Sequence, residues 1–270
     1  MSLTHPPKAL LFDIFGTLVD WRTSITTALI TAAKAALNTR PASSIPQATR
    51  DRVSTLTDSD WASFAQEWRT SYVTFTTTFD ATEQAFITVD QHHHISLKAL
   101  LEAHGLANLF TEPEIRNLAL QWHFLAPWAD TSAGLAELNE RFTTASLSNG
   151  NTALVQDLAR YASLPFSRII TAEDFQAYKP AAAVYLGGAA KLGLEPGECA
   201  MVATHIGDLV MARRNGLQTI YVERKGEERM LDLLEIAKEE GLVDMWISEG
   251  EGEGGLLEVA RRFRQGKGKL

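Results

Sequence analysis

The stretch Lys8-Ala-Leu-Leu-Phe-Asp-Ile-Phe-Gly-Thr-Leu-Val-Asp20 joins a short apolar run to an aspartate, a glycine and a threonine. Ala9 to Phe12 predicts a short buried parallel strand, and Gly16 ends it with a residue free to adopt unusual backbone angles. Asp13 then stands at the carboxyl end of that strand, where open α/β sheets place their ligands. Aspartate also opens turns, so the position alone does not make Asp13 a nucleophile. Its company does.

Three later segments close or follow apolar runs of the same kind. Leu147-Ser148-Asn149-Gly150 follows the run from Phe142, Lys179-Pro180 comes after Ile169 to Thr171, and Ile206-Gly207-Asp208 comes after Ala200 to Ala203. Apolar runs at 142–147, 168–171, 200–203, 219–222 and 245–247 alternate with helical spacing, which predicts a doubly wound parallel sheet with helices on both faces. Between Asp13 and Ser148 the texture changes. Residues 25–37 are rich in Ala and Thr at helical spacing, and 41–46 is a breaker-rich loop. Residues 61–75 put Trp61, Phe64, Ala65, Trp68 and Tyr72 on one helical face, and 95–104 and 113–124 predict further helices. The expected division is an α/β core of residues 1–20 and 131–270, with a helical cap of 21–130 inserted after the first strand.

A strand-end Asp, a strand-end Ser, a Lys and a second strand-end Asp, in this order, resemble the four-part signature of the haloacid dehalogenase superfamily over nearly the whole chain. That resemblance implies a Rossmann-like core with a cap and a covalent role for Asp13. A carboxylate that attacks carbon or phosphorus splits one hard step into two. Phosphatases of the superfamily carry a second Asp two residues on, which protonates the leaving alcohol. Here that position is Phe15, which can neither give nor take a proton. An alkoxide needs acid help and a halide does not, so Asp-x-Phe-Gly-Thr resembles the L-2-haloacid dehalogenase branch.

The finer resemblance assigns further residues. Tyr178-Lys179-Pro180 is followed by Tyr185, a spacing shared with L-2-haloacid dehalogenases. It implies that Lys179 steadies the charge of Asp13 and that Tyr185 shapes the site. Ser148 and Asn149 match the Ser-Asn-Gly that binds the substrate carboxylate, although the tripeptide also suits a turn. Thr17 matches a threonine that bonds Asp13, or caps a helix. Arg69, in Trp68-Arg69, is the implied cradle for halide and carboxylate, because a guanidinium stays charged in a dry pocket. Arg22, in Asp20-Trp21-Arg22, is its rival. Trp21 and Trp128 are candidate apolar walls, or plain core.

The chain departs from the type pattern at Ala203-Thr-His-Ile-Gly-Asp208, where type members carry Ser-Ser-Asn-x-x-Asp. Asp208 is retained, to orient Lys179 or the hydrolytic water. His205 replaces the Asn and either activates that water at neutral pH or serves the structure.

The expected reaction is hydrolytic dehalogenation of a short L-2-haloacid to a 2-hydroxy acid through an aspartyl ester, with halide released and no cofactor. One alternative is a magnesium-dependent phosphatase, with Asp13 and Asp208 holding Mg2+. Another is a repurposed member, a lyase or biosynthetic enzyme, or a binding module that keeps the cleft. His92-His93-His94 has no second cluster of ligands, so no metal is assigned to it. It is expected at the solvated start of a helix from Ile95. A net charge of −8 in 270 residues argues against nucleic acid as partner. The basic Arg261-Arg-Phe-Arg and the tail after it predict the fraying end of a last helix, and 249–255 an acidic solvated loop. A single cysteine, Cys199, rules out an intrachain disulfide. With no signal peptide and no run near the ~18 apolar residues of a membrane span, the expected location is the cytoplasm. A homodimer is left open.

Overall fold

A computed structural model describes residue 3 and residues 5–266. In chain order the elements begin with β1 (Ala9–Phe12), β2 (Val19–Asp20), α1 (Trp21–Thr39), α2 (Gln47–Thr55), α3 (Asp58–Thr78), α4 (Val89–Ala103), α5 (Glu112–Ala119) and β3 (Ala126–Pro127). They continue with α6 (Thr131–Asn139), β4 (Thr143–Ser146), α7 (Thr152–Tyr161), α8 (Ala182–Lys191) and β5 (Cys199–Ala203). The last are α9 (Ile206–Arg214), β6 (Gln218–Val222), α10 (Leu231–Glu239), β7 (Met245–Ile247) and α11 (Gly255–Arg264). The main sheet runs β4-β1-β5-β6-β7, with every neighbouring pair parallel.

β1 is central and buried throughout. Its side chains alternate between two apolar layers, as a strand must. Leu10 and Phe12 join the cluster that includes α1, α3, α6 and α11, while Ala9 and Leu11 join the one that includes α8, α9 and α10. The register fixes the site. Phe12 lies beside Ser146 of β4 and Val202 of β5, so the residues just beyond these strands, Asp13, Ser148 and His205, share one edge of the sheet.

β2 and β3 form a short antiparallel ribbon, pairing Val19 with Pro127 and Asp20 with Ala126. The chain from α1 to α5 runs between those strands. Asp20 caps α1 through the Thr23 N–H at 3.0 Å, so the helix starts at Trp21, ahead of the expected Ile25. α3 buries Trp61, Phe64, Ala65, Trp68 and Tyr72, and Arg69 with them.

Several expectations need correction. Residues 168–171 are held by isolated bridges rather than a full ladder. The Ser146 hydroxyl takes the Ile170 N–H and donates to the Ile170 carbonyl, so a side chain stands in for backbone pairing. The expected helix at 113–124 is α5 followed by a 3-10 turn at Leu120–His123. The histidine triplet lies inside α4, which begins at Val89 behind a Thr88–Gln91 capping box, and His93 is buried. The acidic segment after β7 is not merely solvated, for Glu251 pairs with Arg262 and Glu253 with Arg264. The basic cluster is also held by Glu258. The tail 267–270 lies outside the described residues.

Candidate active site

Asp13 leaves β1 into a turn that Gly16 makes at φ +86°, a left-handed angle that disfavours side chains. The Thr17 hydroxyl donates to Asp13 Oδ2 at 2.9 Å and accepts the Thr204 N–H at 3.0 Å, tying the turn to the end of β5. Arg224 holds the same turn, donating to the Thr17 carbonyl while forking onto Asp130. Trp128 donates to the Gly16 carbonyl at 2.9 Å and does not line the cavity described below.

Lys179 joins the two strand-end aspartates. Its Nζ donates to Asp13 Oδ1 at 2.9 Å and to Asp208 Oδ2 at 2.5 Å. Tyr185 donates to Asp208 Oδ1 at 2.7 Å. Burial works against ionising Asp13, yet Lys179 and His205 outweigh it and hold the carboxyl well below the usual range. Burial disfavours a charged Lys179 too, but the two aspartates raise its affinity for the proton. Asp208 is pushed up by burial and by the charge of Asp13, against the pull of Lys179. Burial, then Asp208, raises the Tyr185 phenol and keeps its proton available as a donor.

A cavity of about 700 Å³ opens on Asp13, Lys179, Asp208, Tyr185 and His205, and on Trp21, Arg22, Arg69 and Tyr72 from the helices between β2 and β3. Arg69 is 9% exposed. Its guanidinium sits 4.5 Å from the Tyr72 ring centre, 5.6 Å from Phe15 and 5.7 Å from Trp21. Among the described residues no carboxylate pairs with it, whereas the other buried cations, Lys179 and Arg224, each hold an aspartate. A cation boxed by aromatic rings and facing a cavity suits an anionic ligand. Arg22 is otherwise engaged. It donates to Gln66 Oε1 at 2.5 Å and to the Gly226 carbonyl, and lies 4.0 Å from Glu227.

Phe15 does not line the cavity, and packs edge-on against Tyr72 and Trp122. Ser148 is fully buried, its hydroxyl accepting the Gly150 N–H at 3.1 Å, and it too stands off the cavity. Asn149 does line it, but its side-chain amide clasps the Lys179 backbone at 2.7 and 3.2 Å. Asn149 thus positions Lys179 directly.

His205, for which the sequence leaves open a base for water or a structural role, stands between two carboxylates. Its Nδ1 is 3.7 Å from Asp13 Oδ2 and its Nε2 is 3.4 Å from Glu227 Oε2. Burial favours the neutral ring, but the imidazole keeps 30% of its surface exposed and faces two carboxylates. They push it up to about 9, so it rests as a cation at neutral pH. Glu227 itself carries no motif and was missed. It is buried, and burial opposes its charge, but His205 and the Trp21 N–H at 3.0 Å keep it below the usual range.

The donor set does not suit a magnesium ion between Asp13 and Asp208, because the Lys179 ammonium already bridges them.

A family model described as a haloacid dehalogenase-like hydrolase matches residues 7–216. (S)-2-haloacid dehalogenase 1 of Pseudomonas sp. (strain CBS-3) is 29% identical over 133 residues, 48% of this chain and 57% of that protein. (S)-2-haloacid dehalogenase 4A of Burkholderia cepacia is 29% identical over 105 residues, 38% of this chain and 46% of that protein. The chain thus spans about half the length of the curated relatives it matches. Among solved structures, a defluorinating L-2-haloacid dehalogenase superposes with a TM-score of 0.78 at 31% identity, covering 97% of each chain. Another L-2-haloacid dehalogenase gives 0.75 at 32% identity, covering 95% of this chain and 99% of that one.

Proposed function

The chain belongs to the haloacid dehalogenase-like hydrolases, and from that premise we propose that it hydrolyses short L-2-haloacids to 2-hydroxy acids through an ester on Asp13. The observation that carries the reading is an ionised Asp13 held by Lys179 and Thr17, with the aromatic Phe15 where an acid would serve an alkoxide. Asp13 attacks C2, its oxygen bonds to that carbon, and the halide leaves with the bonding electrons. No proton is needed for that departure. Arg69, boxed by Tyr72, Trp21 and Phe15, supplies the positive charge that receives the halide and the substrate carboxylate. Water then attacks the ester carbonyl, with His205 beside it to take a proton, and Asp13 is restored.

In this reading residues 21–130 act as the cap and the reaction uses neither metal nor organic cofactor. The test is a screen of 2-haloacids and phosphate esters with and without magnesium. A fluoroacid belongs in the panel, since one similar solved structure is of a defluorinating enzyme. The expected outcome is halide release without magnesium, abolished in Asp13→Asn. A single turnover in heavy-oxygen water should label Asp13 and leave the first product unlabelled. Magnesium-dependent phosphate release, with no halide from any 2-haloacid, would overturn the reading.

A further inference from the structure

Glu227 sits between two groups of the site without belonging to any motif. Its carboxylate accepts from Trp21 Nε1 at 3.0 Å on one side and faces His205 Nε2 at 3.4 Å on the other. The neighbouring Glu228 accepts the Ile206 N–H at 2.7 Å, so the segment after β6 grips the turn that carries His205 at two successive residues. Space is reserved for this pairing. A Cβ on Gly16 would stand 2.3 Å from Glu227 Oε2 and 3.2 Å from the His205 ring. The His205 ring thus stands between the two carboxylates, with Asp13 at Nδ1 and Glu227 at Nε2.

We propose that Glu227 is a positioning residue for ester hydrolysis, aiming the His205 ring at Asp13, while the charge of Asp13 decides when that ring can accept a proton. The inference rests on the dehalogenation reading. Asp13, Glu227 and Arg69 act on the charge of the ring, and Arg22, Lys179, Asp208, Arg214, Glu228 and Arg229 also line the cavity it faces. In the resting state the ring carries both protons, one toward each carboxylate. Forming the Asp13–C2 bond and breaking the C2–halogen bond turns Asp13 into a neutral ester. The Nδ1 proton has then lost its anionic partner and passes to solvent, while Nε2–H stays on Glu227.

The neutral ring now takes a proton from water as the water oxygen bonds to Cγ of Asp13. When the Cγ–O bond to C2 breaks, the departing alkoxide takes that proton back from Nδ1. The Asp13 acid finally gives its own proton to Nδ1. One water is consumed, and one halide and one proton are released, the proton with the halide. The arrangement prevents His205 from acting before there is an ester to hydrolyse.

Rapid-quench kinetics with L-2-chloropropionate, on wild type and Glu227→Gln, provide the test. The expected result is one halide per site in both, at rates within about threefold. The following phase should then slow by about tenfold or more in the variant, since a misaimed base loses much of its effect. The ester should accumulate by mass spectrometry, and the pH limb of that phase should move to lower pH as the ring loses an anionic neighbour. Glu227→Asp, which keeps the charge, should recover part of the loss. A variant whose second phase and pH limb match wild type overturns the inference and leaves the dehalogenation reading intact. So does one that slows both phases equally with the limb unmoved. No halide from the wild type overturns the dehalogenation reading, and this inference with it.

Discussion

Lys179 is the residue on which the charge balance turns, because one ammonium serves two buried carboxylates 2.9 and 2.5 Å away. Two such carboxylates cannot both stay ionised without it. Lys179→Met should therefore let Asp13 and Asp208 share a proton, and halide release from a 2-haloacid should fall by about 100-fold or more. The measurement is initial-rate halide release across pH, where the residual activity should rise toward alkaline pH as the shared proton is lost. Activity within a factor of about three of wild type would show that Asp13 is ionised by other means. Asp13 and Asp208 were readable from their place after apolar runs, and Thr17, Lys179 and Tyr185 from motifs that resemble those of the L-2-haloacid dehalogenases; the structure gathers all five by hydrogen bonds. Ser148 and Asn149 were readable as neighbours of the site, but not as residues whose polar groups are bonded within the protein. The family resemblance put Arg69 ahead of Arg22, but only three-dimensional packing reveals which guanidinium lacks a carboxylate among the described residues. Glu227 was invisible for a similar reason. It lies among charged residues after β6, and nothing local distinguishes the one that folds inward.

At the scale of elements, the apolar runs gave the strands that are buried on both faces, and failed where side chains replace the ladder. Ser146 spends its hydroxyl on Ile170, and hydrophobic pattern carries no trace of such a bond. α4 likewise starts well before its apolar periodicity, because the capping box at Thr88 and Gln91 decides the start. The packing of α6 on α11 depends on a single glycine. A methyl on Gly134 would lie 2.6 Å from the Leu256 carbonyl carbon and from its Cβ, 2.8 Å from the Leu257 nitrogen. Backbone at that distance cannot step aside, so Gly134→Ala should force the helices apart and cost about 1–3 kcal/mol. Gly188→Ala makes the contrast. Its methyl meets the flexible end of Leu147 at 2.8 Å, and the loss should stay below about 1 kcal/mol. Urea denaturation of both variants checks the pair, and equal losses would mean that α11 adjusts more freely than its contacts imply.

For the whole molecule, histidines placed in opposite environments set a stability optimum in pH. His93 is buried between Trp68 and Trp122, with its ring stacked 4.5 Å from Trp122, and neither ring nitrogen meets a hydrogen-bond partner among the described residues. Burial holds its pKa well below 6.5, and burial also brings His92 down to about 4. Both favour the folded state fully above pH 6.5 and lose that contribution as pH falls, because the unfolded chain gains protons the folded one refuses. His205 and His123 behave in the opposite sense. Burial opposes their charge, but Asp13 and Glu227 hold His205 at about 9, and Asp90 and Asp157, at 3.0 and 2.8 Å, raise His123. Their contribution is complete below pH 6.5 and is lost as pH rises, through about 9 for His205. His123 also ties α4 to α7, through Asp90 and Asp157 respectively, so that loss loosens the helical insertion from the sheet side. Urea midpoints measured from pH 4 to pH 10 should therefore trace a dome with its maximum near neutrality. Each limb should yield to its own substitution. His93→Phe keeps the aromatic stack and removes the titrating group, so it should raise stability at acid pH and change little at pH 8. His205→Asn should flatten the alkaline side by lowering stability at neutral and acid pH, where the His205 contribution is complete. A dome that neither substitution alters would place the pH dependence in the carboxylates instead, and Asp13, already held far below its usual range by Lys179, would be the next residue to vary.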